Sequence, residues 1–131
     1  MAAALDPRVR KLAQAPNFAT LSVILRSGRP MTHVMWVDAD ENHVLINTEA
    51  HRAKFRAVER DPRVTVTIWQ RGDPYTYAEV RGQVVETVRG PEARAHIDSL
   101  SRKYRGKDYD DAAITSERVI LRIAPETVRF H

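Results

Sequence analysis

From Tyr75 to Arg89 the chain reads as one long β-strand, interrupted only at Gly82. A lone glycine inside a strand has no side chain to pack and marks a bulge or bend, as where a sheet curls into a barrel. The neighbouring segments set the sense of that sheet. Phe18 to Arg26 alternates, with Ala19, Leu21, Val23 and Leu25 on one face and Phe18, Thr20, Ser22 and Ile24 on the other. Ser27-Gly28-Arg29-Pro30 is turn chemistry, and Met31 to Val37 returns as the second arm of a hairpin. The polar tip Asp38-Ala39-Asp40-Glu41-Asn42 leads into a strand over His43 to Asn47. Arg63 to Gln70 sets Val64, Val66 and Ile68 against Thr65, Thr67 and Trp69, and Arg71-Gly72-Asp73-Pro74 turns into the long strand. Val119 to Ile123 and Thr127 to Phe130 close the chain as two strands around Ala124-Pro125-Glu126.

Three short helices complete the pattern. Asp6-Pro7 is an N-cap followed by proline at the first helical position, and Leu5, Val9 and Leu12 form one apolar stripe that Pro16 ends. The second helix is expected over Thr48 to Arg60, with Asp61-Pro62 as its stop. Gly90-Pro91 opens the third, where Ala93, Ile97, Leu100 and Tyr104 keep the helical period before the charged loop from Arg105 to Asp111. Sequential hairpins with a glycine kink predict a mainly β fold with short helices, its strands mostly antiparallel, rather than alternating parallel α/β. At 131 residues one domain over residues 1–131 is expected, with a real core.

Several function classes have nothing to stand on. There is no cysteine, hence no disulfide framework, thiolate metal site or cysteine nucleophile. Nucleophile-elbow, P-loop, G-x-G-x-x-G and H-E-x-x-H motifs are absent, which removes hydrolase and kinase chemistry. His33, His43, His51, His96 and His131 show no ligand spacing, and Asp38, Asp40 and Glu41 read as a solvated tip rather than a calcium loop, so no metal is expected. No apolar run approaches the roughly 20 residues of a membrane span. Met1 to Pro7 has no basic start and apolar run of a leader, so a cytoplasmic protein is expected. The net charge is +4, mostly from scattered arginines with no like-charge block, which argues against a dedicated nucleic-acid arm.

The helix over Thr48 to Arg60 carries the chemistry that remains. Thr48 is read as its N-cap and Glu49 as a first-turn acid, and a cationic helix start is a natural anion site. At about 100° per residue Phe55 and Val58 define the buried stripe, with Lys54 about 40° from Val58 and Arg52 about 60° from Phe55. Both cations flank the apolar face, whereas Arg56 and Arg60 point away. On spacing alone a bound anion, an ion pair and a snorkelling stem all account for them. Trp36 and Trp69 read as core or interface residues.

Four motifs occur in order: Gly28-Arg29-Pro30, Asn47-Thr48-Glu49-Ala50-His51-Arg52-Ala53-Lys54-Phe55-Arg56, Arg60-Asp61-Pro62-Arg63-Val64, and Tyr75-Thr76-Tyr77-Ala78-Glu79-Val80-Arg81-Gly82. Together they resemble the split β-barrel flavin/deazaflavin oxidoreductases related to pyridoxamine 5′-phosphate oxidase, and within these the F420-dependent reductases. The likeness runs from about Leu12 to Phe130. It implies an FMN-binding-like split barrel of six to seven strands, paired as a homodimer with a cofactor groove at each subunit boundary. It further implies that Arg52 and Lys54 bind the cofactor phosphate, with Asn47 and Thr48 beside it. Thr32, His33 and Val34 would run under the ring, and Tyr77 and Ala78 would cover it from the partner. Phe55-Arg56-Ala57 departs from a polar run ending in Asn that relatives often carry, and His33 from a small polar residue.

On that resemblance the chain is expected to be an F420-dependent oxidoreductase, with FMN as the alternative cofactor. Its substrate would be a small electron-poor molecule of the enone, quinone or tetrapyrrole class. His33 and Tyr77 are candidate proton donors. A dimeric barrel that merely carries a flavin-like or haem-like ligand is the non-enzymatic alternative.

Overall fold

Alternation and turn chemistry become seven strands in one antiparallel sheet. The computed structural model describes residues 4–131; Met1, Ala2 and Ala3, where the reading of an absent leader begins, lie outside the described residues. In chain order the elements are α1 (Pro7–Gln14), β1 (Phe18–Ile24), β2 (Pro30–Trp36), β3 (Asp38–Ala39), β4 (Val44–Glu49), α2 (Ala53–Arg60), β5 (Arg63–Gln70), β6 (Asp73–Arg89), α3 (Pro91–Arg105), a 3-10 turn (Asp111–Ala113) and β7 (Arg118–Phe130). The strands lie in the order β2-β1-β5-β6-β7-β4-β3, every neighbour antiparallel. The sheet curls until β2 approaches β4, a split β-barrel.

Two offsets between β6 and β7 produce the curl. Arg81 pairs with Thr127 but Gly82 with Pro125, which leaves Glu126 as an extra residue; further along, Val84 and Glu86 pair with consecutive residues and leave Val85 unpaired. Gly82 is required for close approach. A Cβ there would stand 2.1 Å from the Ala124 carbonyl oxygen, on backbone that cannot swing away. The two terminal strands expected around Ala124-Pro125-Glu126 are therefore one strand, β7. These residues form a bulge rather than a turn, and a bulge is where proline's missing N–H costs no ladder bond.

The inner face carries the core. Leu21, Ile46, Ile68, Leu121 and Ile123 are all but inaccessible, and Val9 and Ala13 of α1 pack onto the same cluster. Asp6 caps α1 by accepting from the Arg8 N–H at 2.9 Å, with Pro7 at the first helical position. Asp6→Ala is expected to cost about 1 kcal/mol in urea denaturation; no change would show the cap to be dispensable. β4 is buried along its whole length. Its Leu45 packs with Ala93 and Ile120 beneath α3, so the strand has a core on both sides.

α2 starts later than expected. Thr48 and Glu49 do not cap a helix; they are the last residues of β4, opposite Val119 and Arg118. Arg52 takes the N-cap place without a side-chain capping bond. The strand wins because the Glu49 carboxylate is engaged by Thr115 and Ser116, which holds the ladder together to its end. The buried stripe is as predicted, with Phe55 and Val58 facing the core and Lys54 beside them.

Candidate functional site

The end of β4, the start of α2 and the C-terminal half of α3 enclose a cleft of about 380 Å³. One end is cationic, lined by Asn47, Thr48, Arg52, Lys54 and Arg118. The other is apolar and aromatic: Phe18, Val34, Met35 and Trp36 form one wall, Ile97 and Leu100 of α3 the opposite one, with Arg105 and Tyr109 at the rim.

Lys54 is only 8% exposed, yet its ammonium makes no hydrogen bond or ion pair among the described residues. Burial, and then the nearby Arg52 and Arg118 charges, hold its pKa below the ordinary lysine value. Arg52, exposed at the helix start, has no side-chain partner among the described residues either. Arg118 is 9% exposed. Its Nε donates to Asn47 Oδ1 at 2.8 Å and its Nη1 to Glu49 Oε1 at 3.2 Å.

The Glu49 charge is already committed. At 2% exposure its Oε2 accepts from the Thr115 and Ser116 backbone N–H groups at 3.1 and 2.9 Å, and from both hydroxyls. Burial alone would raise its pKa, but these bonds outweigh it and the carboxyl stays below the usual range. Three cations therefore face one engaged carboxylate, an excess of two positive charges. The Lys54 stem is buried, but its ammonium is not among the sealed unpaired atoms, so an uncompensated positive charge opens on the cleft.

The aromatic wall is held by stacking. The Trp36 indole lies parallel to the Tyr104 ring at 5.1 Å and 5°, with Tyr109 edge-on at 6.2 Å. Tyr104 is fixed in turn: its hydroxyl donates to the Asn17 carbonyl and accepts from the Val37 N–H at 3.2 Å. Lys103 ties α3 down through Nζ bonds to the Val37 and Ala13 carbonyls at 2.5 and 3.1 Å. Trp36 is thus a wall of the cleft. Val34, 65% exposed beside it, leaves an apolar patch open to a flat ligand.

Of the residues named from the sequence, Val34, Asn47, Thr48, Arg52 and Lys54 come together in this cleft. Thr32 and His33 lie further along β2, exposed and outside the lining; the Thr32 hydroxyl pairs with that of Ser22 at 2.7 Å. Tyr77 and Ala78 sit on β6, away from the lining as well. Tyr77 stacks on His131 at 5.3 Å, and Ala78 is buried between Ile68 and Phe130. Sequence reasoning missed Arg118, Trp36, Arg105 and Tyr109. For Arg118 the only signal is a lone cation leading the apolar run Val119-Ile120-Leu121. Its place beside Asn47 comes from the β4–β7 register.

The family model described as pyridoxamine 5′-phosphate oxidase matches residues 5–131. Among solved structures, the chain is similar to one called F420 Reductase, at 26% identity and a TM-score of 0.82, over 95% of this chain and 98% of that one. It is also similar to the conserved hypothetical protein Rv2991 from Mycobacterium tuberculosis (24% identity, TM-score 0.71, 98% of this chain and 84% of that one). The General Stress Protein 26 from Bacillus anthracis shares the fold at 17% identity and a TM-score of 0.66, over 94% of this chain and 90% of that one. No curated protein matches the sequence.

Proposed function

The chain belongs to the pyridoxamine 5′-phosphate oxidase family, and from that premise we propose that it is an oxidoreductase that binds coenzyme F420 in this cleft. The observation that carries the proposal is the buried Lys54, flanked by Arg52 and Arg118 and lacking an anion among the described residues. The similarity to an F420 Reductase over almost the full length of both chains supports the choice of cofactor. Bound there, the cofactor supplies hydride chemistry toward a small electron-poor molecule such as an enone, quinone or tetrapyrrole.

The chain's own residues bind and orient. Arg52 and Lys54 hold the phosphate by charge-assisted hydrogen bonds, with Asn47 and Thr48 beside it. Trp36 and Val34 offer a flat apolar wall to the ring, and Ile97 and Leu100 keep water from the opposite side. Thr32 and His33 extend the β2 wall beyond the cleft. In a homodimer, Tyr77 and Ala78 would serve the neighbouring cleft, and the proton would come from His33, Tyr77 or solvent. An excess of two positive charges also suits a phosphate monoester such as that of FMN, the second reading. No helix among the described residues is long and apolar enough to cross a membrane.

Titration of the purified protein with F420 and with FMN, followed by cofactor fluorescence, is expected to give tighter F420 binding; tighter FMN binding reverses the choice. Lys54→Ala is expected to weaken the preferred cofactor by about 1.5–3 kcal/mol, and unchanged affinity would remove the phosphate role. Turnover of reduced F420 with a panel of enones, quinones and tetrapyrroles separates an enzyme from a carrier.

A further inference from the structure

Behind the cationic end runs a hydrogen-bonded chain whose far members, His96 and Asp38, none of the roles above uses. Asn47 Nδ2 donates to the Ala93 carbonyl at 3.0 Å and lies 3.1 Å from His96 Nδ1; Asn47 Oδ1 accepts from Arg118 Nε at 2.8 Å. His96 Nε2 lies 3.1 Å from Asp38 Oδ2. A backbone carbonyl only accepts and an arginine Nε–H only donates, so the Asn47 amide has one workable orientation. Both its hydrogens are then spent, on Ala93 and on His96. Nδ1 of His96 must therefore accept, and its one proton sits on Nε2, where Asp38 receives it.

We infer that His96 is a positioning residue for the anion end of the cleft: held by Asp38 as the Nε2–H tautomer, it orients Asn47 and, through it, Arg118. The consequence is chemical. A second proton on His96 would occupy Nδ1 and confront the Asn47 N–H, a donor against a donor. The amide must then turn, which removes the acceptor from Arg118 Nε and frees the guanidinium from the alignment that Glu49 and Asn47 jointly impose. The Arg118 guanidinium also lies over the Tyr109 ring, 5.3 Å from its centroid, so its direction at the cleft is set by Asn47 and Glu49 together with that ring.

The charged groups around His96 come from each element packed on it. Asp38 on β3 is bonded directly, while Glu49 on β4 and Arg118 on β7 stand beyond Asn47. Arg122 on β7 is occupied by Glu86 of β6 and Glu92 of α3, and Lys103 on α3 acts on Asp38. Arg52 and Lys54 of the α2 start close the far side. Of these, imidazole alone can exchange an acceptor for a donor at a ring nitrogen. Added positive charge at His96 would by itself strengthen anion binding on acidification. Loss of orientation predicts the reverse, which makes the sign diagnostic.

Glutamine carries an acceptor and a donor with nearly the spacing of the two imidazole nitrogens, but it does not titrate. The inference rests on the cofactor reading only for its ligand, so the test has two arms. In the ligand-free protein, the Arg118 Nε–H resonance is expected to be sharp at pH 8 and to broaden on acidification. It should stay sharp to pH 5.5 in His96→Gln, and be broad throughout in His96→Ala. In titrations with F420, wild-type affinity is expected to fall about tenfold across the same range, the size of one misaligned charge-assisted hydrogen bond. His96→Gln recovers most of the affinity lost in His96→Ala and has no acid limb. An Arg118 signal indifferent to His96, or an acid limb kept in His96→Gln, overturns the inference. Failure of both F420 and FMN to bind, with the Arg118 signal still following His96, sinks the cofactor reading and leaves the positioning role standing.

Discussion

Glu49→Ala is expected to lower stability by about 3–5 kcal/mol, the usual result of removing one partner of a buried ion pair. Arg118 would keep its charge at 9% exposure with Asn47 and the Tyr109 ring as neutral partners, close to Lys54 and Arg52. Four donors from Thr115 and Ser116 would lose their acceptor at once. Urea denaturation at pH 7 measures the loss, and a change below about 1 kcal/mol would show that the cluster is not structural. Millimolar phosphate should restore part of the stability, because an anion can replace the missing negative charge. The pH dependence follows from the lowered native pKa of Glu49. Its contribution is complete above the unfolded glutamate value and disappears as the pH falls through the lower native one. The pKa values of Asp38, Asp40 and Asp61 are lowered as well, so both proteins lose stability in acid, and the loss should be larger in wild type than in Glu49→Ala.

Gly82→Ala is expected to cost about 3 kcal/mol, at the upper end of overpacking penalties, with a melting temperature lower by about 10 °C. The new methyl would meet the Ala124 carbonyl oxygen at 2.1 Å, and the obstacle is backbone inside a paired strand. Relief requires separating β6 from β7 where the sheet bends. A control at Gly28, whose turn has open space around the missing Cβ but a φ of +87°, should lose less. Calorimetry on both variants decides it; equal losses would mean that the bend tolerates a side chain.

The two variants mark different depths of legibility. The bend at Gly82 was visible as a glycine inside a fifteen-residue strand, because a defect in a period-two pattern is local information. The same held for the buried stripe of Phe55 and Val58, and for Lys54 and Arg52 beside it. Two boundaries went the other way. Thr48 and Glu49 carry the residue types of a helix start, but Glu49 has long-range partners at Thr115 and Ser116, and these keep the segment in the sheet. Ala124-Pro125-Glu126 carries the residue types of a turn, but across from it stands the one residue able to admit a bulge.

The candidate site divides in the same way. Asn47 to Lys54 is contiguous, so its cations and the family likeness could be read from the chain itself. Trp36 stands eleven positions before it, His96, Tyr109 and Arg118 more than forty after it, and none belongs to a motif. The sequence by itself determined a mainly β chain of hairpins, its apolar faces, the bend and a cationic helix start, since each depends on neighbours within a few positions. Only the tertiary structure decided that Lys54 lacks an anion among the described residues, that Glu49 is engaged by Arg118, and that His96 stands behind Asn47. Those facts depend on which strands pair and in which register, and no short stretch of the chain carries that information.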